Sequence, residues 1–266
     1  MVNIYEAGPF EGRVEQWPVL AVSGALEVRL AETELEIEQA QRLRYSVFYE
    51  EMSAIPSPQM RESGRDFDKF DDVCDHLLVV GTYRLTREKD AAKVGGFYTS
   101  SEFDLSAMLK GMPRDTKYLE LGRSCILKSY RARPGTMQLL WKGLMAYVAR
   151  FDIDMMFGCA SLPGTNVEDM ALPLSYLHHF HPMPAQLQVR ARPELFVDMN
   201  RMPKEAIEPR EAIRSLPAIL KGYVRAGCGI GDGAVVDRQF GTTDVFIYFP
   251  VSGLDARYKS RFGLTK

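Results

Sequence analysis

Three strand-like runs follow one another at residues 76–85, 95–99 and 117–127, with no helical period between them. Strands joined without a crossover helix pair antiparallel. After residue 127 the pattern changes. A helix is expected at about 136–151, a strand at 154–160, a helix at 216–226 and a strand at 243–249. A helix between two strands of one sheet is the signature of a parallel crossover. Ahead of all this, Leu26-Glu-Val-Arg-Leu30 alternates as a strand does. Thr33 then offers a cap to a helix running to about Glu51, with Glu34, Glu36 and Glu38 in the turns where the helix dipole favours acids. The order predicts an α/β (α+β) fold, a mixed and mostly antiparallel central sheet flanked by helices.

Residues 161–215 are punctuated by seven prolines, Pro163 to Pro209, and are read as an insertion. No repeat and no Gly/Ser-rich or Pro-rich linker divides the chain. The expectation is therefore an irregular arm over 1–25 and one domain over 26–266. A hydrophobic fraction of 46% with 26% charged residues excludes a disordered, collagen-like or disulfide-stapled chain. Lys plus Arg number 33 against 35 for Asp plus Glu, a formal net charge of −2. A general nucleic-acid binder is more basic, so a charged partner has to be met by a local patch. No window approaches the ~18 apolar residues of a membrane span. The first ten residues also lack the basic-then-apolar pattern of a secretory signal, and a cytoplasmic location is expected. Cys74, Cys125, Cys159 and Cys228 form no Cys-x-x-Cys pair and read as free thiols.

Four stretches carry residues suited to chemistry. In Tyr118-Leu-Glu-Leu-Gly-Arg-Ser-Cys125, regular alternation sends Glu120 and Arg123 to opposite faces, yet Gly122 lies between them. Glycine within a strand often marks a bulge, which brings the two to one side and frees N–H groups for a carbonyl oxygen. The plain alternative is a surface ion pair on an edge strand. Asp66-Phe-Asp-Lys-Phe-Asp-Asp72, followed by Asp75 and His76, is too dense in like charge to stand alone. It is solvated, binds a cation, or pairs with Arg44, Arg84 and Arg123. Arg44 is a charge on the apolar helix face of Ile37, Ala40, Val47 and Phe48, and a buried carboxylate such as Asp68 or Asp71 is its expected partner. Tyr130-Arg-Ala-Arg-Pro-Gly-Thr136 leads into a helix. Its free N–H groups, with Arg131 and Arg133 and with Lys128 and Lys142 nearby, fit a phosphate. Gly227-Cys-Gly-Ile-Gly-Asp-Gly233 follows a helix instead of opening one and reads as a cap and turn. His178, His179 and His181 end an apolar helix and read as structural, so no metal ligand is assigned.

These pieces, in this order, resemble the bacterial L-ornithine N-alpha-acyltransferases of ornithine lipid synthesis, within the GNAT superfamily. The matching stretches are Leu43-Arg-Tyr-Ser-Val-Phe48, Phe67-Asp-Lys-Phe-Asp71, Cys74-Asp-His-Leu-Leu-Val79, Gly81-Thr-Tyr-Arg-Leu85, Gly95-Gly-Phe-Tyr98 and Glu120-Leu-Gly-Arg-Ser124. Phe157-Gly-Cys-Ala-Ser161, Leu174-Ser-Tyr-Leu-His-His179 and Leu220-Lys-Gly-Tyr-Val224 follow, so the likeness spans roughly residues 26–250. The first half also resembles the acyl-homoserine-lactone synthases; the second half looks like the ornithine enzymes only.

The resemblance implies a GNAT-like fold and transfer of a 3-hydroxylated fatty acyl group from acyl carrier protein to the α-amine of ornithine, giving lyso-ornithine lipid. It implies Glu120 as general base with Arg123 beside it. Arg44, Asp68, Asp71 and Arg84 are implied to line the substrate site, and Phe48 to stand near the pantetheine and acyl entry. The residues expected to meet the carrier and its phosphopantetheine are Lys128, Arg131, Arg133, Gly135 and Lys142. No cofactor and no metal of the chain's own are expected, since phosphopantetheine arrives on the carrier. Contact with the inner membrane would come through the lipid product. A lactone synthase, or an acyltransferase for another amino acid, is the alternative enzyme. A membrane-damaging haemolysin is the alternative of a different class, disfavoured because no amphipathic pore segment appears. In one place the pattern departs: relatives have a short loop after the Asp-His strand, but here Val80 runs directly into Gly81. Residues 76–85 are then one long strand, or a loop is missing from the numbered sequence.

Overall fold

The computed structural model describes residues 19–24 and 26–254. In chain order its strands are β1 (Ala21–Ser23), β2 (Leu26–Leu30), β3 (Asp75–Leu78), β4 (Gly81–Arg87), β5 (Phe103–Asp104), β6 (Tyr118–Ile126), β7 (Met155–Pro163), β8 (Arg190–Ala191), β9 (Phe196–Val197), β10 (Gly229–Asp237) and β11 (Thr242–Pro250). Across the sheet they lie β1-β2-β3-β4-β6-β7-β11-β10-β8-β5, with β9 alongside β10. Only β6 against β7 and β10 against β8 are parallel among the paired strands described. The β6–β7 crossover is made by the helix Thr136–Phe151, as the change of period predicts.

Thr33 does cap the first helix, Glu34–Tyr45: its hydroxyl accepts from Glu36 N and the Glu36 carboxylate reaches back to Thr33 N. A π-helical turn, Ser46–Glu51, continues it to the expected end. Four expectations are corrected. The arm over 1–25 contains β1, which pairs antiparallel with β2; residues 1–18 and 25 lie outside the described residues, as do 255–266. Residues 76–85 are two antiparallel strands, not one, and the chain reverses through Val79 and Val80, closed by a 3.0 Å bond from Val79 N to Gly81 O. Residues 95–99 are not a strand, because the two glycines take positive φ and the chain coils into the 3-10 turn Tyr98–Ser101. Gly227 does cap the helix Ala218–Ala226, but the glycines after it lie in β10 and not in a turn.

Strand alternation sorts the core into two faces. Leu119 and Leu121 of β6, Met156 and Ala160 of β7, and Val245 and Ile247 of β11 face the helix Thr136–Phe151, through its Leu140, Leu144 and Met145. Leu174, Leu177 and Met199, from the insertion over 161–215, join this same cluster. On the opposite face, Tyr118, Phe157 and Phe246 pack with Phe97, Phe103 and Met108. Glu120, Cys159 and Asp244 stand on that second face by the same two-residue period. The β6–β7 ladder spans only Tyr118–Glu120 against Met155–Phe157, and beyond it the two strands part.

Candidate active site

The predicted bulge is present. Gly122 lies opposite Arg84 and Cys125 opposite Thr82, so β6 advances three residues while β4 advances two. The unusual backbone falls on Arg123, at φ +48°, and not on Gly122. Glu120 and Arg123 consequently face one cavity of about 410 Å³. Its walls come from both faces of the sheet, through the gap where β6 and β7 separate. On the helix side they are apolar: Met137, Leu140, Trp141, Ile219 and Tyr223. On the other side they are polar: Glu120, Tyr98, Thr99, Asp237 and Asp244. Phe48 stands in the wall, edge-on to Phe240 at 5.6 Å between ring centres.

Glu120 is 3% exposed. Its carboxylate accepts the main-chain N–H of Thr99 at 2.7 Å and of Tyr98 at 3.1 Å. Burial pushes its pKa up, and these two bonds oppose the rise only in part. A buried carboxyl poised above its ordinary range, bordering a cavity, fits proton transfer.

Behind the wall lies a matched set of charges. Arg44 is wholly buried; its Nε donates to Asp66 Oδ2 at 2.6 Å and its Nη2 to Asp71 Oδ1 at 2.5 Å. Arg84 donates to Asp68 at 2.7 Å and to Asp71 at 3.3 Å. Arg123 reaches Asp66 and Asp68, each at 3.2 Å, and lies over the rings of Tyr98 and Phe240. Asp66, Asp68 and Asp71 are thus matched by three arginines, while Asp72, the last of the run, is exposed. Burial would raise Asp71, but Arg44 and Arg84 outweigh it and hold its carboxyl at about 2. Burial and Arg44 push His76 down to about 4, so the ring is neutral and its Nδ1 accepts from Arg44 at 3.2 Å.

This sorts the expected substrate residues. Arg84, Arg123 and Phe48 reach the cavity. Arg44, Asp68 and Asp71 do not line it: Asp68 binds both arginines that do, Asp71 binds Arg84, and Arg44 is paired with Asp66 and Asp71 behind them. The expected partner Asp71 is found for Arg44, whereas Asp68 serves Arg84 and Arg123, and Asp66, not singled out from its neighbours in the sequence, takes the other bond to Arg44.

At the expected phosphate site, Gly135 takes φ +89° and caps the helix Thr136–Phe151. The buried Thr136 hydroxyl there has no hydrogen-bond partner. Lys128, Arg133 and Lys142 are exposed around this start. Arg131 is committed instead: it grips Glu51 with both Nη atoms at 2.5 and 2.9 Å, and its Nε donates to Ile126 O. His179 Nε2 lies 3.0 Å from Met202 O, and His181 Nε2 lies 3.0 Å from the Tyr176 hydroxyl, both contacts within the fold. The four cysteines are unpaired.

One group was missed. Glu102, Asp237 and Asp244 bring carboxylate oxygens within 4.8 Å of one another. Cys159 Sγ donates to Glu102 at 3.3 Å and Thr242 Oγ1 to Asp244 at 2.9 Å. Burial first, then the neighbouring acids, pushes Glu102 up to about 7. Burial likewise pushes Asp244 to about 6, against its hydroxyl bonds. The available signal was a single acid, Asp244, inside an apolar strand.

The description "Acetyltransferase (GNAT) domain" matches residues 43–142. An L-ornithine N(alpha)-acyltransferase of Rhizobium meliloti (strain 1021) is 46% identical over 258 residues, covering 92% of this chain and 86% of that protein. One from Brucella abortus (strain 2308) is 45% identical over 258 residues, covering 92% of this chain and 91% of the relative. Among solved structures, a CoA-dependent acyl-homoserine lactone synthase aligns at a TM-score of 0.47 and 18% identity, over 87% of this chain and 83% of that one.

Proposed function

The chain belongs to the family of L-ornithine N(alpha)-acyltransferases, and from that premise we propose that it moves a 3-hydroxy fatty acyl group from acyl carrier protein to the α-amine of ornithine. Glu120 takes the proton that keeps the α-amine from attacking. The free amine adds to the thioester carbonyl carbon, on the line where the cavity crosses the sheet. Negative charge builds on the carbonyl oxygen beside the bulge, where main-chain N–H groups of β6 no longer laddered to β7 can stabilise it. The carbon–sulfur bond then breaks. The pantetheine thiol leaves with a proton, and an amide of ornithine remains. The fatty chain occupies the apolar arm between the helices Thr136–Phe151 and Ala218–Ala226. The start of the first of these helices, at Gly135, receives the phosphate of the pantetheine arm on the main-chain N–H groups of its first turn.

That arm supplies the only prosthetic group this reaction uses. The product, lyso-ornithine lipid, joins a fatty tail to a charged head. It leaves towards a membrane surface, and a cytoplasmic enzyme meets the inner membrane through it. No helix of the described residues is long and apolar enough to cross a membrane.

The observation that carries this reading is the buried Glu120 at the gap between β6 and β7, inside a cavity polar at one end and apolar at the other. Purified protein with 3-hydroxyacyl carrier protein and single amino acids should acylate ornithine. Glu120→Gln keeps the size and removes the proton acceptor, while its amide NH2 must face one of the two main-chain N–H groups, so kcat should fall by roughly 10²–10⁴ in a variant that still folds but melts somewhat lower. Near-normal turnover by the folded variant would remove Glu120 from the mechanism.

A further inference from the structure

The described charges of this molecule balance in one place and fail to balance in another. Asp66, Asp68 and Asp71 each have an arginine within 3.2 Å. Glu102, Asp237 and Asp244 have no Lys, Arg or His within ion-pair distance among the described residues. Yet Glu102 is only 8% and Asp244 only 6% exposed. Their hydrogen bonds come from the hydroxyls of Thr242 and Ser161, a thiol and main-chain N–H groups, and all of these donors are neutral. Burying carboxylates without an ion pair is costly and raises their pKa values, and acids so perturbed that border a cavity mark a site for a ligand.

What enters is decided by where the acids point. Asp237 and Asp244 line the cavity that contains Glu120. Cys159, on the same sheet face, sits between the two ends, its Sγ 3.3 Å from Glu102 and 3.8 Å from the hydroxyl of Thr99, whose N–H binds Glu120. Asp244 in particular is more than nine-tenths buried and faces the cavity, with Arg123 acting on it only from beyond ion-pair distance. An aliphatic ammonium has three N–H donors and no acceptor, a match for three converging carboxyls.

We infer that Asp244, with Asp237 and Glu102, forms the pocket that receives the side-chain ammonium of the acceptor, so that the enzyme selects a diamino acid by its second amine. The inference rests on the acyltransferase reading above. It divides the labour within the cavity. Glu120 deprotonates the amine that is to be acylated, and the acid pocket holds the other amine in its charged, unreactive form. One substrate with two amines is thereby acylated at one of them.

The test compares ornithine with norvaline, which has the same carbon chain and no side-chain amine. Wild type should prefer ornithine by about 100-fold or more in kcat/KM, because a site built for donors rejects an analogue that leaves its buried acceptors unpaired. In Asp244→Asn and in Asp237→Asn that preference should fall at least tenfold, chiefly through a raised KM for ornithine. Asn conserves shape, and circular dichroism with urea melts establishes that each variant is folded. Glu102→Gln serves in place of a variant that does not fold. An ornithine-to-norvaline ratio equal to wild type in the folded variants would overturn the inference. So would a stoichiometric divalent metal bound by wild type and lost in Asp244→Asn, measured by elemental analysis, since the pocket would then be a metal site. If wild type acylates ornithine and norvaline equally, the pocket assignment fails while the enzyme reading stands. If it acylates no amino acid from any acyl carrier substrate, the enzyme reading itself fails.

Discussion

At the scale of single residues, the buried arginine is the clearest case of a requirement visible before the fold. A guanidinium on an apolar helix stripe has to meet a carboxylate, and Arg44 meets two. Arg44→Met should therefore lower stability by about 3–5 kcal/mol, because Asp66 and Asp71 stay buried with one cation fewer. Urea denaturation at pH 7 measures it, and a loss below ~1 kcal/mol would mean the network relaxes around the gap. The pH dependence carries the same sign. Asp71 is held at about 2 in the fold, below its ordinary value of about 3.9. Its stabilising contribution is complete above about pH 4 and disappears as pH falls towards 2; in Arg44→Met this acid limb should be shallower. Arg44 could be read because its neighbours in the helix are apolar. Asp66 could not be told from the other acids in its run, since which oxygen meets which guanidinium is settled only by β4 and β6. Asp244 was equally unreadable as a site, because Glu102 and Asp237, which give it meaning, come from a loop and from another strand.

At the scale of elements, β6 and β7 make the site by separating. Gly158 stands one residue beyond their last pairing, and a Cβ there would sit 2.3 Å from the main-chain oxygen of Leu121. Backbone cannot give way as a side chain can, so Gly158→Ala should push the two strands apart. A loss of about 1–3 kcal/mol in urea, with a fall in kcat, is expected. Wild-type stability and rate in that variant would show that the strands tolerate the extra atom. Gly122 differs: a Cβ there meets nothing closer than Arg84 Nε at 3.8 Å, so the residue that flagged the bulge in the sequence is not the one sterically required. The long elements were legible from period, including the helix Thr136–Phe151 and strands β6, β7 and β11. The reversal at Val79 and Val80 was not, because valine carries no turn chemistry and reads as strand. The two-residue strands β5, β8 and β9 were also unreadable, being too short for a period and held by their partners.

At the scale of the whole molecule, a formal charge of −2 says only that a charged partner is met locally. The cavity itself is drawn from residues between Val47 and Asp244, so no single stretch of sequence displays it. The basic turn is different, being local, and its exposed members are readable from sequence order. In the carrier-dependent reaction proposed above, the donor is an acidic acyl carrier protein that presents the acyl group on a phosphorylated arm. If the arm enters beside Gly135 and Thr136, the carrier's acidic surface meets the exposed Lys128 and Arg133 ahead of that helix and Lys142 in its second turn. Arg131 is the wrong residue to test, because its guanidinium is clasped by Glu51 and reversing its charge would break that contact as well. Lys128→Glu, Arg133→Glu and Lys142→Glu together should raise the KM for acyl carrier protein by about tenfold or more. The KM for ornithine should stay within about twofold, since none of the three lines the cavity. Contacts of this kind steer encounter and are screened over about 8 Å at physiological ionic strength. Added salt should then bring wild type towards the triple variant while barely changing the variant itself. Equal, salt-insensitive use of the carrier by both proteins would place the docking surface elsewhere on the molecule.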